Sequence, residues 1–466
     1  MTILLHVERA AVHAASTRLV EPVSFSLFAG RPLTILGETG SGKSLLAQAI
    51  MGLLPQGLFA SGTAVIDGLQ IELDDAAAHR PLWGRKVGIL PQEPWLALDP
   101  TMPALPQVTE GHRFIAGKTP ARAAGAAKED LLALGVLDAG AKLPMQLSGG
   151  MAQRVAFAAA RAGGARIIIA DEPTKGLDVA RRDEVIALLM REVEAGGTIL
   201  TITHDLELAR QMGGELAVML DGRIIERGAA TEVLENPSHA YTKRLIAAEP
   251  TRWPPPERAD DRTASIVLEG RDLAKSRGGK HLFSGIDLTL RRGEILGVTG
   301  PSGSGKSSLG DILLGVLPPD TGRVLRDNTI ARTRYQKIYQ DPPAAFPARI
   351  TIRQNLNDLV RLHRLDGKTI EPLMERLRLS NDLLDRLPTD VSGGELQRFA
   401  LLRVLLLDPV FLFADEPTSR LDLITQQETV SLLSDLAREK GCAVLIVSHD
   451  KALIDKTCDR QISIAA

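Results

Sequence analysis

One ordered set of motifs is written twice along this chain. GETGSGKS begins at Gly37 and GPSGSGKS at Gly300, and LSGGMAQR begins at Leu147 and VSGGELQR at Val391. IIIADEPTKGLD begins at Ile167 and FLFADEPTSRLD at Phe411, while TITHD begins at Thr201 and IVSHD at Ile446. The order is the same in both halves. The spacing is nearly constant from the second motif onward, and the second copy is shorter only between its first and second motifs. A repeat of this length is a duplicated domain, not a solenoid unit. A chain of 466 residues also exceeds the ~250–300 that one core sustains.

The join is legible. EPTRWPPPERADDRT, residues 249–263, holds Pro254, Pro255 and Pro256 among charges and has no apolar periodicity. It reads as a stiff, solvated linker between a first domain at 1–248 and a second at 264–466. Within each half, short apolar runs such as RPLTILG and EILGVTG end in glycine-rich loops that open helical patterns. ARIIIADEP, PVFLFADEP, GTILTITHD and CAVLIVSHD read as buried strands. Strands alternating with helices make this an α/β chain with a mainly parallel sheet in each half. Ligands gather at the carboxyl ends of such strands, where every repeated motif falls. With aromatic residues at 3%, the cores must rely on Leu, Val, Ile and Ala.

Composition removes several classes. Lys and Arg total 55 against 57 Asp and Glu, so nothing in the charge balance calls for nucleic acid. Two cysteines, Cys442 and Cys458, make neither a disulfide framework nor a four-cysteine cluster site. They read as reduced thiols. The most apolar stretch, residues 401–414, is broken by Arg403, Asp408 and Pro409, short of the ~18 apolar residues a span needs. MTILLHVERA lacks the basic start and apolar run of a signal peptide.

The motifs suit phosphate chemistry. Gly37, Glu38, Thr39, Gly40, Ser41, Gly42, Lys43 and Ser44 match G-x-x-x-x-G-K-[ST] after a strand and before a helix. Gly300, Pro301, Ser302, Gly303, Ser304, Gly305, Lys306 and Ser307 repeat it. Such a loop wraps phosphate oxygens with backbone N–H groups and adds the positive end of a helix. Lys43 and Lys306 reach the terminal phosphates, and Ser44 and Ser307 offer hydroxyls to Mg²⁺. Asp171 and Asp415, at strand ends, can hold the shell of the same cation. Glu172 and Glu416 follow and can polarise an attacking water. Gln92 and Gln340 can ligate the metal or water and sense the γ-phosphate. His204 and His449 can bond that phosphate and orient the water. Ser148, Gly149 and Gly150, with Ser392, Gly393 and Gly394, open helices and offer a hydroxyl and N–H groups to an anion.

This set resembles the ATP-binding subunits of ABC transporters, twice over and across nearly the whole chain. The SGG turn is the specific part, since most P-loop ATPases lack it. The resemblance implies duplicated P-loop NTPase domains, each with a mainly parallel sheet core and a helical subdomain. It implies ATP hydrolysis with Mg²⁺ at two sites formed head to tail between the fused halves. Lys43, Asp171, Glu172 and His204 would face Ser392–Gly394, and Lys306, Asp415, Glu416 and His449 would face Ser148–Gly150. A narrower resemblance lies in NPSHAYTKRL (236–245), within residues 220–250, and in KSLLAQAIMGLLP (43–55). Both are similar to the dipeptide, oligopeptide and nickel importer branch. The chain then resembles a fusion of that branch's two ATPase subunits, working with two integral-membrane permeases and a substrate-binding protein. It would sit peripherally on the cytoplasmic face of the inner membrane.

The permeases would dock beyond Gln92 and Gln340, with Trp95 and Leu98 as exposed anchors. The sequence departs from the family in three places. Residues 6–20 hold no aromatic ring besides His6 and His13 to stack on adenine, and His281 alone precedes Phe283 in the second half. The turn after the acids reads Lys175-Gly176-Leu177-Asp178 and Ser419-Arg420-Leu421-Asp422. The NPSHAY tail occurs once. The competing reading is a soluble duplicated ABC ATPase of the translation or DNA-repair type. Those usually carry a long charged insert between the halves or a coiled coil within one, whereas the linker here is short and proline-rich and neither half has room for a coiled coil.

Overall fold

The computed structural model describes residues 2–15, 17–91, 97–174, 179–256, 263–301, 303–418 and 421–464. Gln92, Trp95, Lys175, Gly176, Leu177, Asp178, Ser302, Ser419 and Arg420 lie outside the described residues. The chain divides into two compact units, between Ile246 and Ala247.

In the first unit, a six-stranded sheet carries the motifs. Leu33–Leu36 lies between Thr198–Thr203 and Glu215–Leu220, and Ile167–Asp171 lies between Thr198–Thr203 and Val87–Leu90, all parallel. Arg223–Ala229 returns antiparallel on the outer edge. The five parallel strands are short and mostly buried along both faces, as a sheet covered by helices requires. One face packs on helix Lys43–Met51 and a four-stranded antiparallel sheet built from Ile3–Ala14, Thr17–Phe28, Leu58–Ile66 and Leu69–Glu72. The other face meets the helices Gly149–Arg161 and Val179–Glu194. A helical subdomain includes Ala104–Glu110 and Pro120–Ala133, continued by Gly149–Arg161.

The second unit repeats the plan. Its five strands run in the spatial order Tyr335–Ile338, Phe411–Asp415, Ala443–Val447, Ile295–Thr299, Arg460–Ser463, all parallel. A three-stranded antiparallel sheet of Ile266–Arg277, Lys280–Arg291 and Thr321–Arg326 covers helix Lys306–Leu314. Helices Ile352–His363, Ile370–Arg376 and Gly393–Leu405 form its helical subdomain. The shortening expected between the first two motifs falls largely here. The chain passes from Thr321–Arg326 to Tyr335–Ile338 through a short connection that includes the 3-10 turn Arg332–Arg334, without a fourth antiparallel strand.

Two expectations are corrected. Residues 249–263 do not begin as solvated chain. Trp253 is only 7% exposed, packs in the core of the second unit, and donates its indole N–H to the Ala248 carbonyl at 2.9 Å. An indole buries a large apolar area and needs one acceptor, and the Ala248 carbonyl supplies it. Leu98 is not an exposed anchor. It is 4% exposed and packs with Ala104, Val108 and Phe157. Burying one leucine is worth about 2 kcal/mol, which the subdomain core claims before any partner can.

Candidate active site

Register aligns the strand ends. Leu36 pairs with Thr203, and Asp171 pairs with Ile202, so the phosphate loop, the strand-end acids and His204 emerge side by side. The loop turns through Gly40 and Gly42, at φ +87° and +97°, which a side chain would resist. A Cβ on Gly40 would meet nothing within 4 Å, so it is the backbone angle and not crowding that calls for glycine there. Lys43 is 6% exposed. Its ammonium lies on the loop's own carbonyls, 2.8 Å from Gly37 O and 2.6 Å from Glu38 O, with Ser41 Oγ at 3.2 Å. Ser44 Oγ donates to Asp171 Oδ1 at 3.2 Å.

The next residue is unusual. Glu172 has φ +49°, the left-handed region that non-glycine residues avoid. Its N–H donates to Ile202 O at 2.8 Å, which fixes the turn. Its carboxylate meets His204 Nδ1 at 2.7 Å and accepts from Thr203 Oγ1 at 3.2 Å. Backbone strain maintained beside a Glu–His pair makes Glu172 a candidate functional position.

The second unit repeats this to within a few tenths of an ångström. Lys306 donates to Gly300 O and Pro301 O, each at 2.9 Å, and Ser307 Oγ donates to Asp415 Oδ1 at 3.0 Å. Glu416 also has φ +49° and meets His449, here through Nε2, at 2.9 Å. Gln340 Nε2 donates to Glu416 Oε2 at 2.8 Å, so this amide rests on the glutamate. Burial pushes the Asp415 carboxyl above its usual range, against the Ser307 hydrogen bond and Lys337. Burial likewise pushes the Lys306 ammonium below its usual range, against the pull of Glu416 and Asp415.

Ser148 caps helix Gly149–Arg161 by accepting from Met151 N at 3.3 Å. Ser392 caps Gly393–Leu405 in a reciprocal pair, in which Glu395 Oε2 accepts from Ser392 N at 3.0 Å and from Ser392 Oγ at 2.6 Å. Gln153 and Gln397 tie these helices to the strand ends through the carbonyls of Pro173 and Pro417. Both glutamines stand at the same place in the two copies of the motif. That repetition was the signal that could have singled them out.

Lys337 was also missed. It stands where the first half has Ile89, and it is paired with Asp311 Oδ1 at 2.7 Å and lies 3.6 Å from Asp415 Oδ2. A lone lysine in the short strand before Gln340 was the only hint.

The donor set fits ATP with Mg²⁺. Each unit brings a hydroxyl and a carboxylate, both hard oxygen donors, to the mouth of a phosphate loop. Among the described residues no group of three or more His, Cys, Asp or Glu forms a metal cage. A cation here would therefore complete its shell with phosphate oxygens and water, the habit of Mg²⁺.

The ABC transporter family profile matches residues 20–175 and 283–419. The chain is 33% identical over 477 residues to the peptidoglycan transport ATP-binding protein YejF of Agrobacterium fabrum, covering 94% of this chain and 86% of that one. It is 31% identical over 504 residues to the glutathione import ATP-binding protein GsiA of Escherichia coli K12, covering 95% and 81%. Among solved structures, RNase-L Inhibitor matches with a TM-score of 0.66 at 22% identity, over 98% of this chain and 88% of that one. At that identity the last match speaks to fold alone.

Proposed function

The chain belongs to the ABC transporter family, and from that premise we propose that it powers the import of a peptide-containing solute. It is an ATPase. The observation that carries the catalytic reading is the assembly repeated in both units. A strand-end aspartate bonds the loop serine, and the glutamate after it, in left-handed backbone, bonds a histidine.

The loop N–H groups and Lys43 or Lys306 bind the β- and γ-phosphates. Glu172 or Glu416 accepts the proton of the attacking water, and His204 or His449 fixes that carboxylate and the γ-phosphate. Ser44 with Asp171, and Ser307 with Asp415, would hold Mg²⁺, which neutralises charge on the phosphates. Gln92 and Gln340 would join the same shell. The SGG turn of each half completes the ATP site of the other. Closing the site excludes water and strengthens every phosphate contact.

The cargo reading leans on two relatives named for peptidoglycan and glutathione, both of which contain peptide bonds. Nickel has no comparable support. Two integral-membrane permeases and a substrate-binding protein complete the machine. The chain docks peripherally on the cytoplasmic face of the membrane, consistent with the described residues having no helix long and apolar enough to cross one.

The test is a set of variants in the full chain. Glu172→Gln and Glu416→Gln should each cut turnover by about 10²-fold or more. Adding Ser392→Ala to Lys43→Ala should cost little further, while adding Ser148→Ala should remove what remains. The reverse pattern refutes sites shared between the halves. Copurification with two polytopic membrane proteins is expected, and its failure refutes the importer role while leaving the ATPase.

A further inference from the structure

The NPSHAYTKRL motif takes no part in the chemistry above, yet the fold brings it to the first phosphate loop. Strand Arg223–Ala229 carries Glu226, whose carboxylate accepts from Ser238 N at 2.6 Å, Ser238 Oγ at 2.8 Å and His239 N at 3.1 Å. That clasp fixes the start of helix Ala240–Ala247. Tyr241 N then donates to His239 Nδ1 at 3.1 Å. Thr242, Leu245 and Ile246 bury the other face of the helix. So held, the Tyr241 hydroxyl oxygen accepts the backbone N–H of Glu38 at 3.2 Å, across 203 residues of sequence.

Glu38 is the second residue of the loop. Its carbonyl accepts both Lys43 Nζ, at 2.6 Å, and Ser41 Oγ, at 2.8 Å. One residue therefore joins the tail, on its N–H side, to the phosphate-binding lysine, on its carbonyl side.

The second loop differs at this very position. Pro301 stands where the first loop has Glu38 and has no N–H to give. Ser304, the match of Ser41, has a buried hydroxyl without a partner among the described residues. The half that carries the tail has the donor the tail needs. The half without the tail has a ring that fixes the loop covalently.

We propose that Tyr241 is a positioning residue for the first ATP site alone. By holding residue 38 it sets where Lys43 rests, so nucleotide affinity at the first site depends on the tail and affinity at the second does not. The inference rests on the assignment of Gly37–Ser44 to the ATP phosphates.

The experiment is equilibrium titration of the full chain with mant-AMPPNP, a fluorescent ATP analogue that is not hydrolysed. A Lys306→Ala chain reports the first site and a Lys43→Ala chain the second. Tyr241→Phe keeps the ring and removes only the hydroxyl. In the Lys306→Ala chain it should weaken binding about fivefold, the effect of one ordinary hydrogen bond. In the Lys43→Ala chain the Kd should not move.

Glu38→Pro copies the second loop and removes the same bond, so with Tyr241→Phe it should be non-additive. Additive losses, an equal shift at both sites, or a lowered Tm with both Kd values unmoved would overturn the proposal. The assignment beneath it fails separately. If Lys43→Ala leaves the number of analogue molecules bound per chain unchanged, the loop is not the phosphate site. If Lys43→Ala removes one site while Tyr241→Phe changes neither Kd, only the tether falls.

Discussion

Glu172 and Glu416 each sit at φ +49°, and each is the residue proposed above to take a proton from water. A left-handed backbone costs a non-glycine residue about 1–2 kcal/mol, so the chain is less stable for having a side chain there. Glu416→Gly and Glu416→Ala should both lose turnover, because both lose the carboxylate. The glycine variant should be the more stable by about 1 kcal/mol in urea unfolding. Equal stabilities would mean that the strain is not real.

Lys306 makes a second prediction. Burial lowers its pKa from the ordinary 10.5, so between the lowered value and 10.5 the unfolded chain binds more protons than the folded one. Stability of the nucleotide-free protein must then rise with pH across that window. Lys306→Met should remove that rise, read as the difference between the two proteins' unfolding free energies across the alkaline range. The motif residues at these positions were legible because their types and spacing are written out twice. The φ of Glu172 leaves no mark in a sequence. Neither does the bond from Tyr241 to Glu38, which depends on how a distant strand, through Glu226, aims a short helix.

The two helices that follow the phosphate loops meet their sheets differently. In helix Lys306–Leu314, a Cβ on Gly310 would lie 2.2 Å from the ring of Phe413 on the adjacent strand. The matching residues of the first half are Ala47 and Ile169, both buried in one cluster. A methyl group and a shorter side chain in one copy replace no side chain and a ring in the other. Gly310→Ala should therefore destabilise the protein by about 1–3 kcal/mol, despite the better helix propensity of alanine. Adding Phe413→Ile should recover most of that loss in urea unfolding, and an unrescued double variant would refute the pairing.

Elements of this kind were readable in outline. Short apolar runs ending in glycine loops or acids became parallel strands, and the SGG turns opened helices. What escaped was packing. Leu98 looked like a surface anchor because it follows a loop motif, and Trp253 looked solvated because three prolines follow it. Both are held by apolar neighbours far along the chain.

At the scale of the molecule, the duplication was the most legible feature, since it needs only the order of the motifs. The unequal treatment of the halves was less so, and the thiols are part of it. Cys442 and Cys458 both lie in the second unit and both are buried. Burial pushes the Cys442 thiol up to about 12 and raises Cys458 as well. Neither should react with a thiol reagent at pH 8 until the second unit opens. ATP at a hundred times its Kd should slow that reaction by about a hundredfold, because it binds the folded unit only. Rapid labelling of the native protein would contradict the burial of either thiol.

Sulfur silence in the folded chain has a practical consequence for spectroscopy. A cysteine introduced at an exposed position of the first unit, such as Leu69, would be the single reactive sulfur in the native molecule. A second at Leu362 would complete a pair across the two halves without removing either natural cysteine. Spin labels on that pair would report the separation of the halves as nucleotide is added, in a protein whose own thiols stay dark.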